Sequence, residues 1–166
     1  FFYFTRYNSQ QITLSKETID LYYMLVQLSD ELSPVFAPRG NTVALHLAED
    51  LTVEADPEKL ARVFSNILKN AASYSHPRTE ITISAEKSEH EVIIQFQNSG
   101  EDIPSEALAS LFDKFYRADK SRSSDTGGTG LGLAIAKEIV VLHGGTISAA
   151  SKNHVVTFTI SLPLAH

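Results

Sequence analysis

Gly128-Thr129-Gly130-Leu131-Gly132-Leu133 opens a segment in which Leu131, Ile135, Ile139 and Leu142 recur at helical spacing. Three closely spaced glycines at a helix start leave backbone N–H groups with no Cβ to hold off an incoming phosphate. That outlines a nucleotide site, although glycines at such spacing also mark ordinary turns.

Working outward, Gly144-Gly145 stops this helix, and beyond it Val156, Phe158, Ile160 and Leu162 alternate with Thr157 and Thr159 as a strand. Upstream, Ile81, Ile83 and Ala85, then Val92, Ile94 and Phe96, flank Ser88-Glu89-His90 and predict a hairpin ending at Asn98. Before the hairpin, Leu60, Val63, Phe64, Ile67, Leu68 and Ala71 form the stripe of an amphipathic helix, with Asp56-Pro57-Glu58 as cap, N1 proline and first-turn acid. Val43, Leu45 and Leu47 predict a strand, and a shorter one follows near Leu51 to Glu54. Closest to the N-terminus, Ile12 and Leu14 suggest a strand, and Ser15 with Glu17 predicts a helix start. That helix is expected to run to Leu32, where Ser33-Pro34 and Pro38-Arg39-Gly40 break it. Ala118 to Gly128 is too polar to pack and too long for an idle connection, and reads as a lid. Helices and antiparallel strands in this order predict a two-layer α/β sandwich.

Composition narrows the function. At 166 residues, with 43% hydrophobic and 20% charged residues, the chain suits one domain with its own core. A net charge of −6 with no basic block argues against nucleic acid or an anionic membrane surface as partner. Cysteine is absent, which excludes disulfides, a thiolate nucleophile and a Cys-based metal site. Phe1-Phe2-Tyr3-Phe4 is too short for a membrane span and lacks the order of a signal peptide. It reads as the end of a helix whose packing partner is missing, so a longer parent protein is expected.

Asn66-Ile67-Leu68-Lys69-Asn70-Ala71, Asn98-Ser99-Gly100, Phe112-Asp113-Lys114-Phe115-Tyr116-Arg117 and the glycine stretch follow one another in a telling order. In that order the chain resembles the ATP-binding domain of sensor histidine kinases, with their N, G1, F and G2 boxes, from about Thr13 to Pro163. Within the family it is most similar to the VanS-type sensors of glycopeptide-antibiotic resistance, through Ala61 to Ser75 and Phe115 to Gly145. The resemblance implies a Bergerat-type fold, a mixed and mostly antiparallel sheet packed on three helices. It also implies residues 1–10 as the end of a dimerisation helix or linker, and 11–166 as the catalytic domain. The implied activity is transfer of the γ-phosphate of Mg·ATP to a histidine on a separate dimerisation domain, then to the receiver domain of a response regulator. Its expected location is the cytoplasmic side of a membrane-anchored bacterial sensor. A hydrolytic ATPase of the same fold and a non-catalytic nucleotide-binding module are the rival readings.

The same resemblance assigns roles. Asn70 is the implied magnesium ligand, and one neutral amide oxygen suffices where phosphates and water supply the rest. Asn66 stands where hydrolytic relatives carry glutamate, and an amide cannot take a proton from water near neutral pH. Tyr74 lines the implied pocket, while Ser73 replaces a lysine common near the phosphates. Asn98 replaces the aspartate that accepts from the adenine amine, and Asp102 replaces the second glycine of that box. Arg117 is expected to offset charge on the transferring phosphate. Gly100, Ile103, Leu111, Tyr116, Gly128, Thr129, Gly130, Leu131, Gly132 and Leu133 complete the implied nucleotide contacts, with Leu111, Phe112, Phe115 and Tyr116 also read as packing residues. None of the six histidines sits in a phosphoacceptor context, so the acceptor is expected elsewhere; His143 reads as a helix-end residue.

Overall fold

The computed structural model describes residues 13–113 and 132–165. A short strand β1 (Glu17–Asp20) leads into helix α1 (Leu21–Glu31), followed by a single helical turn α2 (Ser33–Phe36) and a 3-10 turn at Ala37–Arg39. Strands β2 (Thr42–Leu47) and β3 (Thr52–Ala55) precede the long helix α3 (Pro57–Tyr74). The hairpin β4 (Glu80–Lys87) and β5 (Glu91–Ser99), the short helix α4 (Ser105–Ser110), helix α5 (Gly132–Leu142) and the hairpin β6 (Thr146–Lys152) and β7 (Val155–Pro163) follow.

Five strands form one sheet in the order β2-β4-β5-β7-β6, with β2 and β4 parallel and the other pairs antiparallel. One face carries Ile81, Ile83, Val92, Ile94, Phe96, Val156, Phe158, Ile160 and Leu162, all buried. Against them α3 lays Leu60, Val63, Phe64, Ile67 and Leu68, and Phe64 meets Phe96 with ring centroids 5.7 Å apart. Each such side chain contributes about 1.5–3 kcal/mol on burial, so the sandwich holds itself together without staples. The three longer helices, α1, α3 and α5, and the mostly antiparallel sheet agree with the expected architecture.

Three expectations need correction. The helix does not start at Ser15: residues Glu17–Asp20 instead pair antiparallel with Thr52–Ala55, and Asp20 caps α1 by accepting from the Tyr22 N–H at 2.9 Å. Pairing with a distant strand outweighed a local capping pattern, and the Ser15 N–H donates to the Asp56 carboxylate at 2.9 Å. On α5 the buried stripe is Ile135, Ala136, Ile139 and Val140, whereas Leu142, at the last position of the helix, is 43% exposed. Gly144, at φ 78°, ends that helix in the left-handed conformation that favours glycine. Strand β6 was not expected, since Ala149, Ala150 and Ser151 carry little strand preference; its pairing with β7 supplies what propensity lacks.

Asp56 ties the N-terminus of α3 to two other segments. Its carboxylate accepts from Ser15 N–H and from Lys59 N–H at 3.2 Å, and the Lys59 ammonium lies 3.5 Å away. Burial alone would raise its pKa, but the two N–H donors and Lys59 outweigh it and hold the group below the usual carboxylate range. The unfolded chain therefore takes up this proton first as pH falls. Stability from Asp56 is complete above about pH 4 and is lost as pH drops through the lowered folded value. Asp56→Ala should cost about 0.5–2 kcal/mol at neutral pH, the usual value of a cap, and flatten the acid limb of stability. Thermal unfolding between about pH 6 and 3 checks this; parallel losses in parent and variant would rule it out.

Candidate functional site

The C-terminal end of α3 and the end of β5 meet. Ser75 bridges to Gly100, and the His76 N–H donates to the Ser99 carbonyl at 2.8 Å. Gly100 in turn donates its N–H to the His154 carbonyl at 2.9 Å, and the His154 N–H donates to the Asp102 carboxylate at 2.7 Å. A Cβ on Gly100 would lie 2.6 Å from the Tyr74 carbonyl oxygen and 3.2 Å from Asn98 Nδ2, so only glycine fits this junction. The approach explains the residue type better than the turn alone does.

Asn66 and Asn70 lie one turn apart on α3, and both are half-buried. Asn66 Nδ2 donates to the Gly132 carbonyl at 3.2 Å, which joins the long helix to the first residue of α5. Ser73 and Tyr74 are half-buried at the helix end. Asn98 is only 5% exposed, and its Nδ2 has no hydrogen-bond partner among the described residues. A buried amide arm left without a partner costs about 1–3 kcal/mol unless something beyond the described residues completes it.

Four further sequence-predicted residues pack on the hydrophobic core. Leu111 is buried and Phe112 and Leu133 pack against the core, with Phe112 edge-on to Phe158 at 6.1 Å between ring centroids. Ile103 also packs on the core, and its N–H donates to Ser151 Oγ at 2.8 Å. Phe115, Tyr116, Arg117, Gly128, Thr129, Gly130, Leu131 and the expected lid lie outside the described residues.

Two structural contacts of α3, one at each end, were not legible in the sequence. Arg39 reaches across to cap α3, donating to the Ser73 carbonyl at 3.2 Å and the Ser75 carbonyl at 2.8 Å. Its place in Pro38-Arg39-Gly40 signalled a break and nothing more. His143 does sit at a helix end, yet it acts as a neutral clip: Nδ1 donates to the Ile139 carbonyl at 2.8 Å while Nε2 accepts from the Asp56 N–H at 3.0 Å. A carbonyl can only accept and an amide N–H only donate, so the two contacts together fix the tautomer. Among the described residues no group of His, Asp and Glu side chains is arranged to hold a metal by itself, and no helix is long and apolar enough to cross a membrane.

Comparison with known proteins identifies the family and the fold. The chain is 58% identical over 163 residues to the sensor protein VanS of Enterococcus faecium, a match covering 98% of the chain and 42% of that protein. It is 42% identical over 163 residues to the sensor protein VanSC of Enterococcus gallinarum, covering 98% of the chain and 45% of that protein. The chain thus spans less than half the length of these relatives. The solved catalytic domain of histidine kinase ThkA superposes with a TM-score of 0.80 at 26% identity, covering 90% of this chain and 95% of that one. Residues 55–166 match the family of histidine kinase-, DNA gyrase B- and HSP90-like ATPases, and the chain belongs to that family as an ATP-binding catalytic domain of the sensor histidine kinase kind.

Proposed function

We propose that this chain binds Mg·ATP and presents its γ-phosphate to a histidine on a separate dimerisation domain, from which the phosphoryl group passes to the receiver domain of a response regulator. The observation that carries this reading is the bond from Asn66 to Gly132, which sets Asn66 beside the start of α5, with Asn70 one turn further along α3. A Cβ on Gly132 would meet only the Asn66 amide, at an ordinary 3.9 Å, so packing among the described residues does not demand glycine there. A phosphate approaching bare backbone N–H groups at a helix start does.

In this reading Asn98 faces the base, Tyr74, Gly100, Ile103, Leu111 and Leu133 shape its surroundings, and Asn70 holds magnesium. Bound magnesium would neutralise phosphate charge during transfer. Asn66 orients the attacking group without serving as a base. Arg117, Tyr116 and the glycines from Gly128 to Gly132 handle the phosphates, together with Thr129 and Leu131. Ser73 leaves one phosphate-side cation fewer than a lysine would. Residues 1–10 are assigned to the end of the dimerisation helix or linker, and 11–166 to the catalytic domain. The similarity to VanS supports a cytoplasmic position in a membrane-anchored sensor and a part in vancomycin-resistance signalling.

The amide at Asn66 favours transfer over hydrolysis. Given labelled ATP and magnesium, the chain should bind nucleotide yet neither label itself nor release phosphate quickly. Adding a polypeptide that carries the acceptor hairpin should yield acid-labile phosphohistidine on the hairpin, and Arg117→Ala should slow that step more than it weakens binding. Label on this chain, or rapid phosphate release without the hairpin, would refute the kinase reading in favour of an ATPase.

A further inference from the structure

Asn98 lies at the end of β5, opposite Val156, and is 95% buried with its Nδ2 unpartnered among the described residues. An amide carries an acceptor on one arm and a donor on the other, and only the surrounding bonds decide which arm points where. No bond at Nδ2 within the described residues pins the group. A carboxylate at the same position would have acceptors on both arms.

Purines divide on the edge that such a group would read. Adenine offers a donor, its exocyclic amine, beside an acceptor, ring N1; hypoxanthine and guanine offer an acceptor, O6, beside a donor, N1–H. An amide with Oδ1 toward the amine and Nδ2 toward N1 pairs with adenine. Turned over, with Nδ2 toward O6 and Oδ1 toward N1–H, it pairs equally well with a 6-oxopurine. A carboxylate can satisfy the adenine amine but sets oxygen against oxygen at O6.

We propose that Asn98 makes this a purine-tolerant site, which takes 6-oxopurine nucleotides as well as adenine nucleotides by turning its amide over. The proposal rests on the reading of Asn98 as the base-facing residue of an ATP site. Gly100 assists, because a Cβ there would come within 3.2 Å of Nδ2 and crowd the arm that has to move.

Inosine diphosphate is the decisive probe, since its base lacks the 2-amino group and its phosphates and magnesium match those of ADP. The parent chain should bind inosine diphosphate within about tenfold of ADP, and Asn98→Asp should widen that ratio by a further factor of about ten or more, the size set by one unmatched buried polar group. Asn98→Leu should lose affinity for both nucleotides by a similar factor. Guanosine diphosphate gives a second arm that adds the 2-amino group. If the parent binds ADP but rejects inosine diphosphate as strongly as Asn98→Asp does, the tolerance is overturned while the ATP site stands. Identical ADP and inosine diphosphate binding in parent and Asn98→Leu would make Asn98 a turn residue and overturn the proposal. Failure of the folded parent to bind ADP at all would remove the nucleotide reading together with it.

Discussion

Calorimetric titration of Asn70→Ala with ATP and magnesium is expected to show no saturable binding at concentrations that saturate the parent, with thermal unfolding close to the parent's. Asn70 is half-buried on α3, just beyond the Ile67 and Leu68 that anchor the helix, so removing its amide leaves the core intact. Alanine is also the best helix former, which keeps the backbone of α3 unburdened. The affinity falls because magnesium takes most of its oxygens from phosphates and water, and loss of a protein oxygen leaves the complex unanchored at that point. In the absence of magnesium, parent and variant should bind the nucleotide alike. Equal affinity with magnesium present would remove Asn70 from the metal's surroundings.

Gly100→Ala should damage stability and nucleotide affinity together. The added methyl meets the Tyr74 carbonyl at 2.6 Å, and that oxygen belongs to backbone at the end of an 18-residue helix, so it cannot swing aside. The backbone on the Tyr74 side must shift and Asn98 must give slightly, an overpacking cost of about 1–3 kcal/mol. Because the strain falls on Tyr74 and Asn98, ADP binding should weaken as well. Gly132→Ala is the contrast: its methyl finds ordinary contact, so it should leave stability near the parent's and act only through the phosphate. Denaturant unfolding and ADP titration of both variants test the pair, and a Gly100→Ala chain that unfolds and binds like the parent would contradict the account.

Much of this architecture is written in local pattern. The stripe on α3 and its Asp56-Pro57-Glu58 start, the alternation in β4, β5 and β7, and the glycine stop after α5 each arise within a few residues, where period and capping chemistry act. The failures share a cause of the opposite kind. β1 exists because Thr52–Ala55 lies alongside it, β6 because β7 does, and Arg39 caps a helix more than thirty residues later in the chain. Contacts of that range leave no periodic trace. The candidate site was legible only in outline, since Asn66, Asn70, Asn98 and Gly132 carry recognisable residue types while the bond that joins Asn66 to Gly132 spans 66 residues of chain. What the sequence could not convey is the unpartnered Nδ2 of Asn98, a property of everything around that residue.

The order of strands sets a timetable for folding. Strand β7 is the last in sequence of the described strands, yet it lies between β5 and β6, inside the sheet. While the chain is being made, β2, β4 and β5 can assemble first and leave β5 with a bare edge of unpaired backbone N–H and C=O groups. Such an edge recruits other chains when nothing covers it. Only when residues 155–163 leave the ribosome is the edge closed, so a nascent chain stalled within α5 should be the most aggregation-prone stage of its synthesis.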